Sequence, residues 1–258
     1  MNVIVTAGGI PQPQDPLYEY THGLSKSLID VAGKSMIQWV VDALSGSANI
    51  SNIVVIGLGA EAGLNTKKAI HYLPNQGSML ANMVLGFGKV KELDPEAKYV
   101  MIASSDIPDL RTEMVDWLID QVASEPADLY YGVVRKEIME KTYPNSRRTW
   151  TKLKDMEVCG ADINVAHISM ATDHLPTWET LIGRRKSPLK QAAAIGLGTL
   201  FLLLTKQATL NDLVARVSRS IGIRGKAIVW PWAEAGMDVD KPHQLAIMRQ
   251  SMASRTKA

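Results

Sequence analysis

The chain has 258 residues, 46% of them hydrophobic, and its 28 Lys plus Arg against 26 Asp plus Glu leave a formal charge of only +2. That near-balance excludes a global field able to gather nucleic acid, so recognition has to be local. The only cysteine, Cys159, excludes an internal disulfide framework and a four-thiolate zinc site, which fits a reducing, cytoplasmic setting.

"NVIVTA" follows Met1 with no basic region or cleavage site, so no signal peptide is expected. It is a β-branched apolar run ending in Gly8-Gly9, the pattern of a buried strand feeding a tight turn. "SMIQWVVDALSGS" carries a helical stripe at Met36, Ile37, Val40, Val41 and Leu44. Strand "NIVVIGLG", helix "SMLANMVLGFGKV", strand "KYVMIASSD", helix "TEMVDWLIDQVAS" and strand "ADLYYGVVRK" follow. This alternation predicts an α/β three-layer sandwich: a mainly parallel or mixed sheet, helices on both faces, ligands at the strands' carboxyl ends.

The polar stretch from Glu137 to Ile168 holds strand-like pieces at "TWTKLKDMEV" and "ADINVAHI" and reads as a mixed-sheet extension covering the site. "AAAIGLGTLFLLLT", from Ala192, is shorter than the roughly 20 residues of a spanning helix. It reads as a buried helix; Arg184, Arg185, Lys186 and Lys190 before it leave a membrane-surface or homo-oligomer contact over 184–205 as the alternative. "GKAIVWPW" is a last strand and "KPHQLAIMRQSMAS" a closing helix started by Pro242. With no repeat or linker, one domain spanning 1–258 is expected.

Three places can carry chemistry. Consecutive N–H groups at "AGG" suit phosphate oxygens, although neither a dinucleotide fingerprint nor a Walker pattern is present. In "SSDIPDL", Asp106 stands at a strand's carboxyl end, where a carboxylate can hold Mg²⁺; Asp109 or Thr112 is better placed to cap the next helix. In "AGMDVDKPHQL", Asp238 and Asp240 fall on one side if extended, so either can complete a metal site with Asp106, while Asp240 can instead cap the helix at Pro242. No histidine pair has zinc spacing, and Cys159 has no evident histidine partner.

Together these segments resemble the nucleotidyltransferase superfamily with the GT-A-like fold, whose sugar-phosphate and molybdenum-cofactor members open with a strand, "AGG", a basic loop and a lysine. "SKSLIDVAGKSMIQWVVDAL" is the most specific match, and "SSDIPDL" and "DKPHQL" resemble the family's two metal motifs. The resemblance implies catalytic roles for Lys26 and Asp106, Mg²⁺ on Asp106 and Asp240, and nucleotide contacts from Ala7, Gly8, Gly9, Lys26, Gly77, Ser78 and Asn82. "CGADINVAHI" resembles the acceptor-side strand, which would put Asp162 and Asn164 near the acceptor. Residues 1–125 would form a nucleotide-binding half and 126–258 an acceptor-binding half.

The implied reaction moves a nucleoside monophosphate from a nucleoside triphosphate to a phosphorylated sugar or cofactor, releasing pyrophosphate, with no nucleic-acid partner. One departure stands out. Where the family has a glycine-rich loop with an arginine, this chain reads "IPQPQDPLYEYTHGLS", with three prolines, two acids and no arginine. Lys34, His22, Arg147, Arg148, Arg184 and Arg185 are candidates to supply the missing charge. A non-catalytic nucleotide-binding homologue and a glycosyltransferase using a nucleotide-sugar are the competing readings.

Overall fold

The computed structural model describes residues 1–175 and 197–255. The first half runs β1 (Asn2–Thr6), α1 (Tyr18–Thr21), β2 (Asp30–Val31), β3 (Lys34–Ser35), α2 (Met36–Gly46), β4 (Ile53–Ile56), β5 (Ile70–Leu73), α3 (Met79–Leu93), β6 (Tyr99–Ser104) and α4 (Thr112–Ala123). Then come β7 (Leu129–Arg135), α5 (Lys136–Thr142), β8 (Thr151–Lys152), β9 (Glu157–Gly160), β10 (Ile163–His167), α6 (Leu197–Leu204), α7 (Leu210–Ile221), β11 (Gly225–Trp230) and α8 (Pro242–Arg255).

Nine strands form one sheet in the order β5-β4-β1-β6-β10-β7-β9-β8, with β11 also paired to β7. β5, β4, β1 and β6 are mutually parallel, whereas β10 is antiparallel to both β6 and β7. The sheet is therefore mixed, with helices packed on its faces. β1 shows why the sequence folds this way: with strands on both sides and helices above and below, every position but its last is buried, which a continuous β-branched run satisfies. Val3 and Val5 join an apolar layer with Met36, Val40, Leu44 and Met114, while Ile4 joins the opposite layer with Met83, Phe87 and Val90.

Two expectations need correction. "ADINVAHI" does not extend over the site: β10 is inserted at the sheet's centre, joining β6 to β7. Its apolar alternation satisfies an edge or a centre equally well, and only long-range pairing decides. The segment Ile70–Leu73, whose four residues are each half-buried, pairs with β4 as an edge strand that was not among the expected elements. The basic residues 184–190 lie outside the described residues. Within the following apolar run, α6 is helical, but Phe201 and Leu204 are exposed rather than buried. Among the described residues no helix is long and apolar enough to cross a membrane.

Candidate functional site

The carboxyl ends of β1 and β6 open side by side, and the first loop is stitched between them. The Ser25 hydroxyl donates to the Ala7 carbonyl at 2.7 Å, the Lys26 amide to the Gly9 carbonyl at 3.0 Å, and the Ser27 and Ser105 hydroxyls lie 2.7 Å apart. These contacts fix Lys26 directly beside the end of β6. There its ammonium sits 2.5 Å from Asp106 Oδ2 and also pairs with Asp240 Oδ1. Burial would lower the Lys26 pKa, but Asp106 and Asp240 outweigh it and hold the ammonium above its ordinary range.

Asp106 caps no helix. It is 5% exposed, and the Ser104 hydroxyl donates to its Oδ1 at 2.5 Å. The expected caps at α4 do not form: Arg111 is the N-cap residue and makes no capping bond through its side chain, Thr112 donates to the Ala43 carbonyl, and Asp109 accepts from Tyr143 and Ser251. Likewise the Asp240 carboxylate is drawn to Lys26.

The late segment alternates as an extended chain should. Met237 and Val239 are fully buried, while Asp238 and Asp240 point back to Asp106, and the Val239 amide donates to the Asp106 carbonyl at 3.0 Å. Carboxylate oxygens of Asp106, Asp238 and Asp240 lie within 4.8 Å of one another. All-oxygen donors in a largely buried, net-acidic group suit one hard dication such as Mg²⁺. Sequence alone left Asp238 and Asp240 as alternatives; the structure brings both to Asp106.

Asp162 occupies the break between β9 and β10. Its carbonyl accepts from the Ser104 amide and its amide donates to the Ala235 carbonyl, both at 2.8 Å, so its carboxyl faces the same cluster. Burial, reinforced by Asp106 and Asp240 and opposed by Arg148, pushes that carboxyl up to about 7. Arg148 was one of several arginines that sequence could not place. It is the cation opposite Lys26 in this group, paired with Asp238 and lying 3.7 Å from Asp162 Oδ2.

The remaining expected residues divide by what their side chains already do. Gly8 and Gly9 lend their carbonyls to Asn75 and Lys26, so what they can offer a ligand is their N–H groups. A methyl group on Gly8 would meet Asn75 Nδ2 at 2.8 Å. Asn82 is nearly buried and braces the 75–77 turn: its Oδ1 accepts from the Gln76 amide and its Nδ2 donates to Asn75. Ser78 caps α3 through the Ala81 amide, and Gly77 takes the positive φ of 77° that this turn requires. Asn164 accepts from the Gly132 amide and donates to the Ala161 carbonyl, which holds the β9–β10 break. Lys34 is turned away, paired with Asp42 over the Trp39 ring.

The proline-rich loop forms the far wall. Gly9, Ile10, Pro11, Asp15, Pro16 and Leu17 face Lys26 and Asp240 across a cavity of about 330 Å³. Paired glycines, a lysine on two carboxylates and a third acid gather beside the ends of the parallel strands β1 and β6, in a chain with the fold and family of the GT-A-like nucleotidyltransferase superfamily. The chain belongs to the MobA-like NTP transferase family, whose model matches residues 19–193. That match begins beyond Gly8 and Gly9, within the altered loop, and ends before Asp238.

The chain is similar over 95% of its length to 98% of a hypothetical transferase from Thermus thermophilus, at 31% identity and a TM-score of 0.82. The fold is also shared with CMP:2-keto-3-deoxy-manno-octonic acid synthetase complexed with CTP, at TM-score 0.59 and 18% identity, covering 99% of this chain and 98% of that one. A 4-diphosphocytidyl-2C-methyl-D-erythritol synthase from Anaerococcus prevotii gives TM-score 0.59 at 11% identity, covering 97% and 95%. No curated protein sequence matches the chain.

Proposed function

We propose that this NTP transferase moves a nucleoside monophosphate from a nucleoside triphosphate to a phosphorylated small molecule, in a Mg²⁺-dependent reaction that releases pyrophosphate. The observation that carries the proposal is Lys26 held between Asp106 and Asp240, with Asp238 alongside, at the ends of β1 and β6. An acceptor phosphate oxygen attacks the α-phosphorus; that P–O bond forms as the bond to the β-phosphate oxygen breaks, and its electron pair leaves with pyrophosphate. No side-chain nucleophile is needed.

The chain's part is positioning and charge. Gly8 and Gly9 amides would hold phosphate oxygens, and the Lys26 ammonium would stabilise charge growing on the transferred group. Asp106, Asp238 and Asp240 would hold Mg²⁺, which when bound neutralises and aligns phosphate oxygens. Among the described residues, the Asp106, Asp162, Asp238 and Asp240 carboxyl groups pair with Lys26 and Arg148 alone, so an added dication offsets an acidic excess. To test the reading, the protein is incubated with Mg²⁺, each common nucleoside triphosphate and a panel of phosphorylated sugars, polyols and cofactors. Acceptor-dependent pyrophosphate is expected. Tight nucleotide binding with no pyrophosphate across a broad panel would favour a binding protein, and nucleotide-sugar cleavage without pyrophosphate would favour sugar transfer.

A further inference from the structure

Arg148 reaches the site by an unusual backbone path. The loop between α5 and β8 turns through two left-handed non-glycine residues, Asn145 at φ 64° and Arg147 at φ 53°. Such conformations cost on the order of 1 kcal/mol or more each and persist only where surroundings impose them. Here the Ser146 amide donates to the Tyr143 carbonyl at 3.2 Å, the Ser146 carbonyl lies 3.2 Å from His243 Nε2, and Ser146 is itself buried. The result is to send exposed Arg147 outward and to fold Arg148 inward, its side chain only 14% exposed.

A guanidinium buried for structure alone is normally satisfied by its fork on one acid or by several acceptors. Arg148 is instead divided among neighbours: one arm meets Asp238, the other stands 3.7 Å from Asp162, the buried Cys159 thiol lies against it, and the shielded Nε has no hydrogen-bond partner among the described residues. Asp238 also belongs to the carboxylate trio suited to a dication, so a cation there competes directly with Arg148 for that acid. Arg148 does not line the cavity beneath the proline-rich loop, where a triphosphate tail would lie against Lys26. Its side faces Asp162 and Tyr131, whose ring is half exposed and whose hydroxyl lies 2.5 Å from where a Gly160 Cβ would be.

We infer that Arg148 is the acceptor-binding cation of this site, taking the phosphate monoester of the small molecule that receives the nucleotidyl group, with Asp162 as the residue that steers its guanidinium. The inference rests on the nucleotidyl-transfer reading, since that reaction brings a second phosphate into the site. Arg148 then serves the acceptor rather than the first loop, and cation binding at Asp238 and anion binding at Arg148 reinforce each other.

The test is calorimetric titration of the full chain with inorganic phosphate, without and with Mg²⁺, then with Mg²⁺ plus a non-hydrolysable nucleoside triphosphate. Wild type should bind phosphate more tightly with Mg²⁺. Arg148→Gln should weaken binding at least about ten-fold and abolish the Mg²⁺ enhancement, as expected for losing a charge-assisted forked contact. Arg148→Lys, which keeps the charge and protects the fold, should recover only part of the loss, and thermal melting verifies that both variants are folded. Unchanged phosphate affinity in folded Arg148→Gln, or no phosphate binding by wild type that binds nucleotide, would overturn the assignment while leaving the transferase reading intact. Arg148-dependent phosphate binding in a chain that binds no nucleotide would keep the anion site and remove the transferase reading.

Discussion

Backbone bonds that span the sequence fix the floor of the site. Lys26 is tied to Gly9, Ser105 to Thr6, Val239 to Asp106 and Asp162 to Ala235, so strand ends far apart in sequence set the positions of the acids and the lysine. The loop above is bonded mostly to itself: Asp15 to Gln12, Tyr18 to Asp15, Tyr20 to Leu17, with Ile10, Tyr20 and Leu24 exposed. Its ties to the body are few, chiefly the buried Pro11, Leu17 and Thr21 and the Arg249 guanidinium 5.7 Å from the Tyr20 ring centre. The lysine and the acids are therefore held by the body of the fold, whereas the proline-rich wall, held mainly by its own bonds, is open to change without disturbing them.

Substitutions should divide along the same line. Asp106→Asn should lower turnover on the order of 10³-fold with little change in nucleotide affinity, measured as pyrophosphate release, because it unbalances both Lys26 and the carboxylate trio. Lys26→Ala should lower kcat on the order of 10²-fold, the scale for removing one transition-state charge contact. A comparable fall in a loop variant that leaves the floor folded would erase the distinction.

Much of the floor was legible because its residues sit in short recognisable segments, although the bonds that join those segments span the chain. Lys26 lies in a contiguous motif, and Asp106 and Asp240 follow apolar strand or turn patterns that say where a carboxylate emerges. Arg148 was not legible: Asn145 tolerates positive φ and marks a turn, but the left-handed turn at Arg147 that sends Arg148 inward is announced by nothing in its residue type. Asn82 and Asn164 sit in segments that resemble ligand-contacting ones, and their amides also brace backbone and neighbouring side chains, a role composition does not announce. The place of β10 depended on pairing with β6 and β7, which no short window contains.

Smaller effects sharpen the contrast. Gly57 has φ 100°, and a Cβ there would stand 2.3 Å from Gly8 Cα, so Gly57→Ala should cost about 1–3 kcal/mol in urea unfolding and displace the phosphate turn. Leu17→Ala should cost about 2 kcal/mol, spent first as local opening of the loop, and raise the nucleotide KM while kcat stays near wild type. Far from both regions, Arg224 donates to Asp128 at 2.6 Å, and this bond, against the opposing effect of burial, holds the carboxylate below its ordinary range. Its stabilisation is present above about pH 4 and lost as pH falls further, so Asp128→Asn should cost under about 1 kcal/mol at neutral pH and nothing in strong acid, with kinetics unaffected.

The most direct measurement follows the α-phosphorus itself. Wild type and Asp106→Asn are given Mg²⁺, an acceptor and a nucleoside triphosphate labelled at the α-phosphate, and the label is located after one turnover. The account predicts label on the acceptor, with matching pyrophosphate, for wild type alone. Label appearing as free nucleoside monophosphate, label remaining in the triphosphate, or equal transfer by the variant would contradict it.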